Sequence, residues 1–333
     1  MAGPTSRRSV VRLLKAVVGV AVLVAVSWHV RLTWIDLKKH GGLPRVDVFW
    51  FLTAIVAYLI GLVVYAAYFI RVLGASPAPI RRLPGVRAYV VSHLGKYVPG
   101  KALVVVMRAG MSASAGSRAS TAAFATIYET LVMMAVGGLV AAVCLSFGPV
   151  PAMFNLPKFG PIPALRLPLG LIGLAMGLGF LVLVSPPVFP RISSLARLPF
   201  RDLEPTHLPR TSWRLLIEGA ALTLVGWVAL GLSQLAVLRA ISPTVVPVSL
   251  WPSVIGSVAL ATVAGFAVPV SPGGLGVREW VLWTSLGSTV DKELAVLAAL
   301  GLRAAWLIGE VVAGLVLLLF RPAPPCPSGA VSP

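Results

Sequence analysis

Two short runs hold most of the side chains on which this chain could build a chemical site. The first is His93-Leu94-Gly95-Lys96-Tyr97-Val98-Pro99-Gly100-Lys101, with Arg108 following. The second is Pro269-Val270-Ser271-Pro272-Gly273-Gly274-Leu275-Gly276-Val277-Arg278-Glu279. In the first run Pro99 lacks an N–H and clashes with the preceding turn, so a helix ends near Tyr97. Gly100 permits a sharp turn and close backbone approach. A helix restarting near Lys101 aims unbonded N–H groups into the bend, where an anion is favoured. Lys101 and Arg108 share one face of that helix, and His93 and Lys96 stand just ahead of the bend. In the second run Pro269 and Pro272 stop a helix, and Gly273, Gly274 and Gly276 free the backbone. Arg278 and Glu279 then open the next helix, and arginine suits bidentate contact with a phosphate. The chemistry these residues offer is anion binding. The plainer reading is a pair of interfacial turns with snorkelling cations, Glu279 serving only the local fold.

Three more charges lie inside apolar sequence: Glu129, Arg303 and Glu310. Glu129 is about 15 Å into its run at 1.5 Å per residue. Charges at such depth face a partner or a polar cavity. Glu129 with Arg303 is one candidate neutralising pair, and Glu310 shares a helix face with Arg303. Glu218, near the start of its run, reads as interfacial. No His-Glu-x-x-His, Gly-x-Ser-x-Gly, P-loop or paired-cysteine motif occurs, and His29, His40, His93 and His207 are scattered. No catalytic residue, metal site or cofactor is expected. Cys144 and Cys326 give no disulfide framework.

The elements that must position these residues are membrane helices. The chain is 58% hydrophobic and 11% charged, with a mean hydropathy of +0.93. A soluble fold would have too little polar sequence to cover its surface. Full spans are expected at about 13–31, 49–73, 119–147, 167–189, 213–239 and 293–320, each long enough for roughly 30 Å of hydrocarbon. The two runs fall in the segments 84–112 and 250–290, each short for two full spans plus a loop. The fold expected is therefore all-α and polytopic: six full spans plus two broken, re-entrant hairpins, or eight thin spans. The domain layout is a basic cytoplasmic tail at 1–12, a transmembrane domain at 13–320 and a disordered Pro-rich tail at 321–333.

The formal net charge of +18 sits in tails and short loops, as the positive-inside rule requires. It flanks spans and forms no soluble domain, which argues against a nucleic-acid partner. The loops at 148–166 and 241–249 carry few or no cations, which puts both termini in the cytoplasm. The loop at 31–48, with Arg31, Lys38, Lys39 and Arg45, runs against this pattern. With that topology, span–broken hairpin–span occurs twice in opposite orientations, the arrangement of inverted repeats around a midplane site.

Gly95-Lys96-Tyr97-Val98-Pro99-Gly100-Lys101 with Arg108-Ala109 resembles the first signature of the lysylphosphatidylglycerol synthase transmembrane (flippase-like) family. Ser271-Pro272-Gly273-Gly274-Leu275-Gly276-Val277-Arg278-Glu279 resembles its second. Tyr128-Glu129 falls where that family commonly has an acidic residue. The resemblance covers roughly residues 10–320. It implies a membrane region that moves an aminoacylated lipid between leaflets, beside a soluble domain that attaches the amino acid. Only a short tail follows Phe320 here, so the synthase activity is not carried over. Together with the anion reading, the resemblance implies a plasma-membrane protein that binds an anionic or polyprenyl-phosphate lipid and helps it cross the bilayer. Lys96, Lys101, Arg108 and Arg278 would meet the head group. Pro99, Gly100, Pro272, Gly273, Gly274 and Gly276 would shape the bends, and Glu129, Glu279, Arg303 and Glu310 would be interior counter-charges. The alternatives are a non-transporting accessory subunit of a cell-envelope enzyme, and an intramembrane enzyme using Glu129.

Overall fold

The computed structural model describes residues 45–97, 102–147, 153–156, 165–196, 209–242, 246–268, 274, 276–287 and 289–319, with single helical residues between 24 and 38. The expected span at 13–31 is therefore described only at Val24, Trp28 and Arg31, and the two tails lie outside the described residues.

The helices are α1 (Val48–Leu73), α2 (Arg82–His93), α3 (Ala102–Ser114), α4 (Ala119–Ser146), α5 (Leu169–Val184), α6 (Phe189–Ala196), α7 (Trp213–Ile241), α8 (Trp251–Ala267), α9 (Val277–Leu286) and α10 (Lys292–Leu319). A small antiparallel hairpin pairs β1 (Met153–Leu156) with β2 (Leu165–Pro168) in the connection before α5. Two of the long helices start at side-chain caps. Asp47 Oδ1 accepts from the Phe49 N–H at 2.9 Å ahead of α1, and Ser212 Oγ accepts from the Leu215 N–H at 3.2 Å ahead of α7. On α1 the exposed Phe49, Leu52, Val56, Ile60 and Val63 form an apolar stripe, while Tyr58, Leu62, Tyr65 and Phe69 face inward. An apolar outer face combined with a polar-tipped inner one is the pattern of a helix solvated by lipid.

The span expected at 167–189 is shorter than expected. α5 has 16 residues and ends at Val184, ahead of Pro186 and Pro187, which cannot continue it. Small residues draw it against α4: a Cβ on Gly138 would lie 2.5 Å from the Gly177 backbone. The segment at 84–112 is a hairpin of half-length limbs, α2 and α3, of 12 and 13 residues. The segment at 250–290 departs from that symmetry. Its first limb, with the 3-10 turn that leads into it, runs unbroken over Val248–Ala267 for 20 residues, long enough to cross a membrane. Its second limb, α9, has 10.

Packing repeats itself between the two halves. α1, α2, α3 and α4 of the first half answer to α7, α8, α9 and α10 of the second. The neighbours α1–α2, α2–α3, α3–α4 and α1–α4 recur as α7–α8, α8–α9, α9–α10 and α7–α10. Contacts between halves recur too, α4 on α7 and α8 matching α10 on α1 and α2. At the centre α1 crosses α7 antiparallel. Gly61 lies under Leu230, Gly226 under Tyr65 and Gly219 under Tyr68, so each glycine makes room for a large side chain opposite. An antiparallel crossing of matched helices is what an inverted repeat requires.

Candidate functional site

Among the described residues the buried charges fall in three ion pairs, two of them joining neighbouring limbs and one joining the halves. In the first half Arg108 of α3 meets Glu129 of α4, Nη1 to Oε2 at 3.3 Å. Its Nε–H donates to Ser92 Oγ at 3.0 Å, and its guanidinium carbon lies 3.8 Å above the Tyr89 ring and 5.2 Å from that of Phe69. Tyr89 returns to the same carboxylate, its hydroxyl donating to Glu129 Oε1 at 2.9 Å. Glu129 is fully buried and Arg108 nearly so, and each is held by several partners, as charges removed from water must be.

In the second half the polarity is reversed. Glu279 of α9 lies 3.6 Å from Arg303 of α10. Glu279 also holds the local fold: its Oε2 accepts from the Gly276 N–H at 2.7 Å, closing the first turn of α9. The pairing of Glu129 with Arg303 expected from sequence is therefore replaced. Each takes its partner from the short limb packed beside it, Arg108 on α3 and Glu279 on α9.

The third cluster links the halves. The short turn Leu94–Tyr97 carries Lys96 to Glu310 of α10, Nζ to Oε1 at 2.5 Å. The Tyr58 hydroxyl of α1 donates to the same oxygen, and His93 Nε2 stands 3.9 Å away. Tyr58 stacks on Trp306, ring centroids 4.5 Å apart. The indole N–H donates to Ser233 Oγ at 3.0 Å, and that hydroxyl donates to the Ala54 carbonyl at 2.8 Å. On Trp306 rests Arg278, its guanidinium carbon 3.9 Å from the ring centroid. Arg303 and Glu310, on one helix as expected, thus serve different pairs.

The backbone makes these approaches feasible at few positions. Gly274 and Gly276 have φ of +78° and +81°, in the left-handed region that glycine tolerates. Gly274 also lies against Gly265 of α8, where an added Cβ would be 3.3 Å from the opposite Cα. In the first hairpin the close contact is at Gly95, where a Cβ would lie 3.1 Å from Val104 N. Pro99, Gly100, Lys101, Pro272 and Gly273 lie outside the described residues.

Between the two hairpins is a cavity of about 660 Å³. Lys96, Arg108 and Arg278 line it together with His93, Tyr58, Tyr89 and Trp306. Most of the remaining wall is apolar, including Leu62, Met133, Met134, Phe180, Leu230 and Phe266. Cations from both hairpins, Lys96 and Arg108 of the first and Arg278 of the second, thus reach one space. Sequence reasoning missed Tyr58, Tyr89, Ser92 and Trp306. Tyr58, Tyr65 and Tyr68 on one face of a membrane span were the available signal, since a buried phenol needs a partner. Glu218, expected at the interface, is part-exposed between Arg71 at 2.7 Å and Arg214 at 2.9 Å. Among the described residues no group of three or more His, Cys, Asp or Glu could hold a metal ion.

Fold and cavity together define a polytopic helical membrane protein with a cation-lined cavity between its two hairpins. The family model for the lysylphosphatidylglycerol synthase TM region matches residues 13–314, and the chain belongs to that family. This bears out the resemblance carried by the two Gly-rich signatures and ties the chain to membrane lipids. No curated protein matches the chain.

Proposed function

We propose that this protein binds an anionic, phosphate-bearing lipid in the cavity between its hairpins and moves it across the plasma membrane. The supporting observation is the character of that cavity: Lys96, Arg108 and Arg278 meet at a wall whose remainder is mostly apolar. A head group and an acyl or prenyl tail need both surfaces at once. The matched packing of the halves supports the same reading, because alternating access works by rocking one repeat against the other around a fixed site. Both termini face the cytoplasm in this proposal.

The test is leaflet accessibility. The purified protein is reconstituted into vesicles carrying fluorescent anionic and polyprenyl-phosphate lipids, and a membrane-impermeant quencher reports redistribution. Protein-dependent loss of the protected fraction is expected. Equal redistribution with and without protein, across the whole lipid set, overturns the proposal.

A further inference from the structure

One ion pair stands between the cavity and the seam of the two halves. Lys96 lines the cavity and is 19% exposed, and Glu310 lies behind it, fully buried and outside the lining. A lysine can give up its proton and an arginine cannot, so this pair differs in kind from Arg108–Glu129 and Arg303–Glu279. It differs in surroundings too. Both oxygens of Glu129 are engaged, one by Tyr89 and the other by Arg108 and Thr130. Glu279 closes the turn at Gly276. At Glu310 the contacts of Lys96 and Tyr58 gather on Oε1, and Oε2 is buried with no hydrogen-bond partner among the described residues.

The groups around Glu310 come from every element packed on α10. α1 supplies Tyr58, α2 supplies His93 at 3.9 Å, and the turn supplies Lys96 and Tyr97. Arg278 of α9 bears on Lys96 through its charge, and Arg303 stands seven residues earlier on α10 itself. α7 packs on α10 through Ser233 and Gln234, which do not titrate. Among the described residues Glu310 is the one acid of this group. An anion entering the cavity meets Lys96 from its open side while Glu310 holds it from behind. Drawing the ammonium toward the anion leaves a charged carboxylate unpaired in a dry site, which is costly. One proton removes that cost, and the 2.5 Å contact gives it a route. Lys96 Nζ passes a proton to Glu310 Oε1, and the amine regains one from water in the cavity. The balance is one proton taken from the cavity, one carboxylic acid formed at Glu310 and one ammonium restored at Lys96 for the anion. Release of the anion reverses the steps.

We propose that Glu310 is a proton-coupling site: each anionic head group that takes Lys96 brings one proton onto Glu310. A lipid carried across the membrane then takes a proton with it, and a proton gradient drives the movement. The inference rests on the lipid-binding reading above and adds its energy source. The place of the pair suits the role. Lys96 belongs to the first half and Glu310 to the second, so the proton that frees Lys96 also releases a tie between the halves.

Two readouts test this. The probe is fluorescent phosphatidylglycerol, whose phosphodiester lacks the second ionisable proton of a monoester and keeps one charge between about pH 6 and pH 8. The first readout is its affinity for the purified protein in detergent. The bound state holds the extra proton, so affinity is expected to fall as pH rises, by up to about tenfold per pH unit for one proton. Glu310→Gln, a permanent stand-in for the protonated acid, is expected to give a flat profile. Lys96→Met with Glu310→Leu gives the same flat profile where the single variant does not fold. His93→Asn is expected to keep the slope. The second readout is the quencher assay with a pH gradient across the vesicle. Wild type is expected to drive the probe toward the alkaline side, and reversing the gradient to reverse the drift. A flat affinity profile in wild type overturns the inference without any variant; a head group held by Arg278 or Lys101 alone would give it, because the Lys96 pair stays closed. A slope that survives in Glu310→Gln, or vanishes in His93→Asn, places the proton elsewhere and overturns it too. Movement that ignores the gradient sinks this inference and leaves the transport reading standing. A slope in binding without movement upholds the proton site and sinks the transport reading. Absence of binding at every pH sinks the lipid-binding reading and this inference with it.

Discussion

Lys96, in the turn that ends the first half-helix, is bonded at 2.5 Å to Glu310, a residue 214 positions later in the last span. This contact ties the bend of one half of the chain to the long helix of the other. Any movement of the halves against each other must break it or carry it along. It therefore couples the shape of the cavity to the state of a buried ion pair.

Removing one partner of that pair should cost far more than removing both. Glu310→Gln leaves Lys96 with a desolvated charge, a loss of about 3–5 kcal/mol. Lys96→Met with Glu310→Leu should recover most of it. Thermal midpoints in detergent, followed by size-exclusion fluorescence, give the comparison. A double variant no more stable than the single one would show that the pair does not form.

Arg108 should not tolerate lysine. Its fork reaches Ser92 and Glu129 at once while its face covers Tyr89. An ammonium can serve as a point charge but cannot make that set of contacts. Arg108→Lys is expected to lose about 2 kcal/mol or more, in the range of buried charged hydrogen bonds. Full stability of Arg108→Lys would mean that charge alone matters there.

Glycines of the same spacing class should differ sharply. A Cβ added at Gly138 would lie 2.5 Å from the Gly177 backbone, whereas one at Gly179 would meet nothing within 4 Å. Gly138→Ala should separate α4 from α5 and cost about 1–3 kcal/mol as overpacking does. Gly179→Ala should be neutral or slightly stabilising. The same melting assay compares them, and equal melting points would refute the close packing.

The second bend offers a graded test. Both Gly274 and Gly276 have positive φ, so alanine at either is strained by about 1–2 kcal/mol. Only Gly274 also touches α8, at Gly265. Gly274→Ala should therefore slow lipid redistribution more than Gly276→Ala. The reverse order would place the functional bend on the far side of α9.

Orientation is open to chemical labelling. In a Cys144→Ser, Cys326→Ser background, cysteine at Pro79 should react with an impermeant maleimide only from the cytoplasmic side. Cysteine at Asp291 should react only from outside. Labelling of both from one side would contradict the inverted arrangement of the hairpins.

The sequence determined the membrane class and the position of four long helices, α1, α4, α7 and α10, while the unbroken run Val248–Ala267 and the early end of α5 at Val184 came only with the structure. The membrane class and those four helices follow from local physics. An apolar run longer than about 18 residues must span, and a Pro-Gly step must interrupt it. The edges at Val48, Ala119 and Trp213 fall within a residue of the expected ones, and at Val48 and Trp213 the caps Asp47 and Ser212 are local signals. Glu129, Arg108 and Arg278 were recognisable as charges that needed a reason. Their partners were not, because pairing across a bundle depends on which helices neighbour one another, and hydropathy carries no record of that. Only the tertiary structure set Glu129 on Arg108 and Arg303 on Glu279, brought Lys96 to Glu310, and left Arg278 on Trp306 facing the cavity. The physical reason is desolvation: among the described residues each buried carboxylate is held by a cation from an element packed beside it, and only the packing decides which element that is.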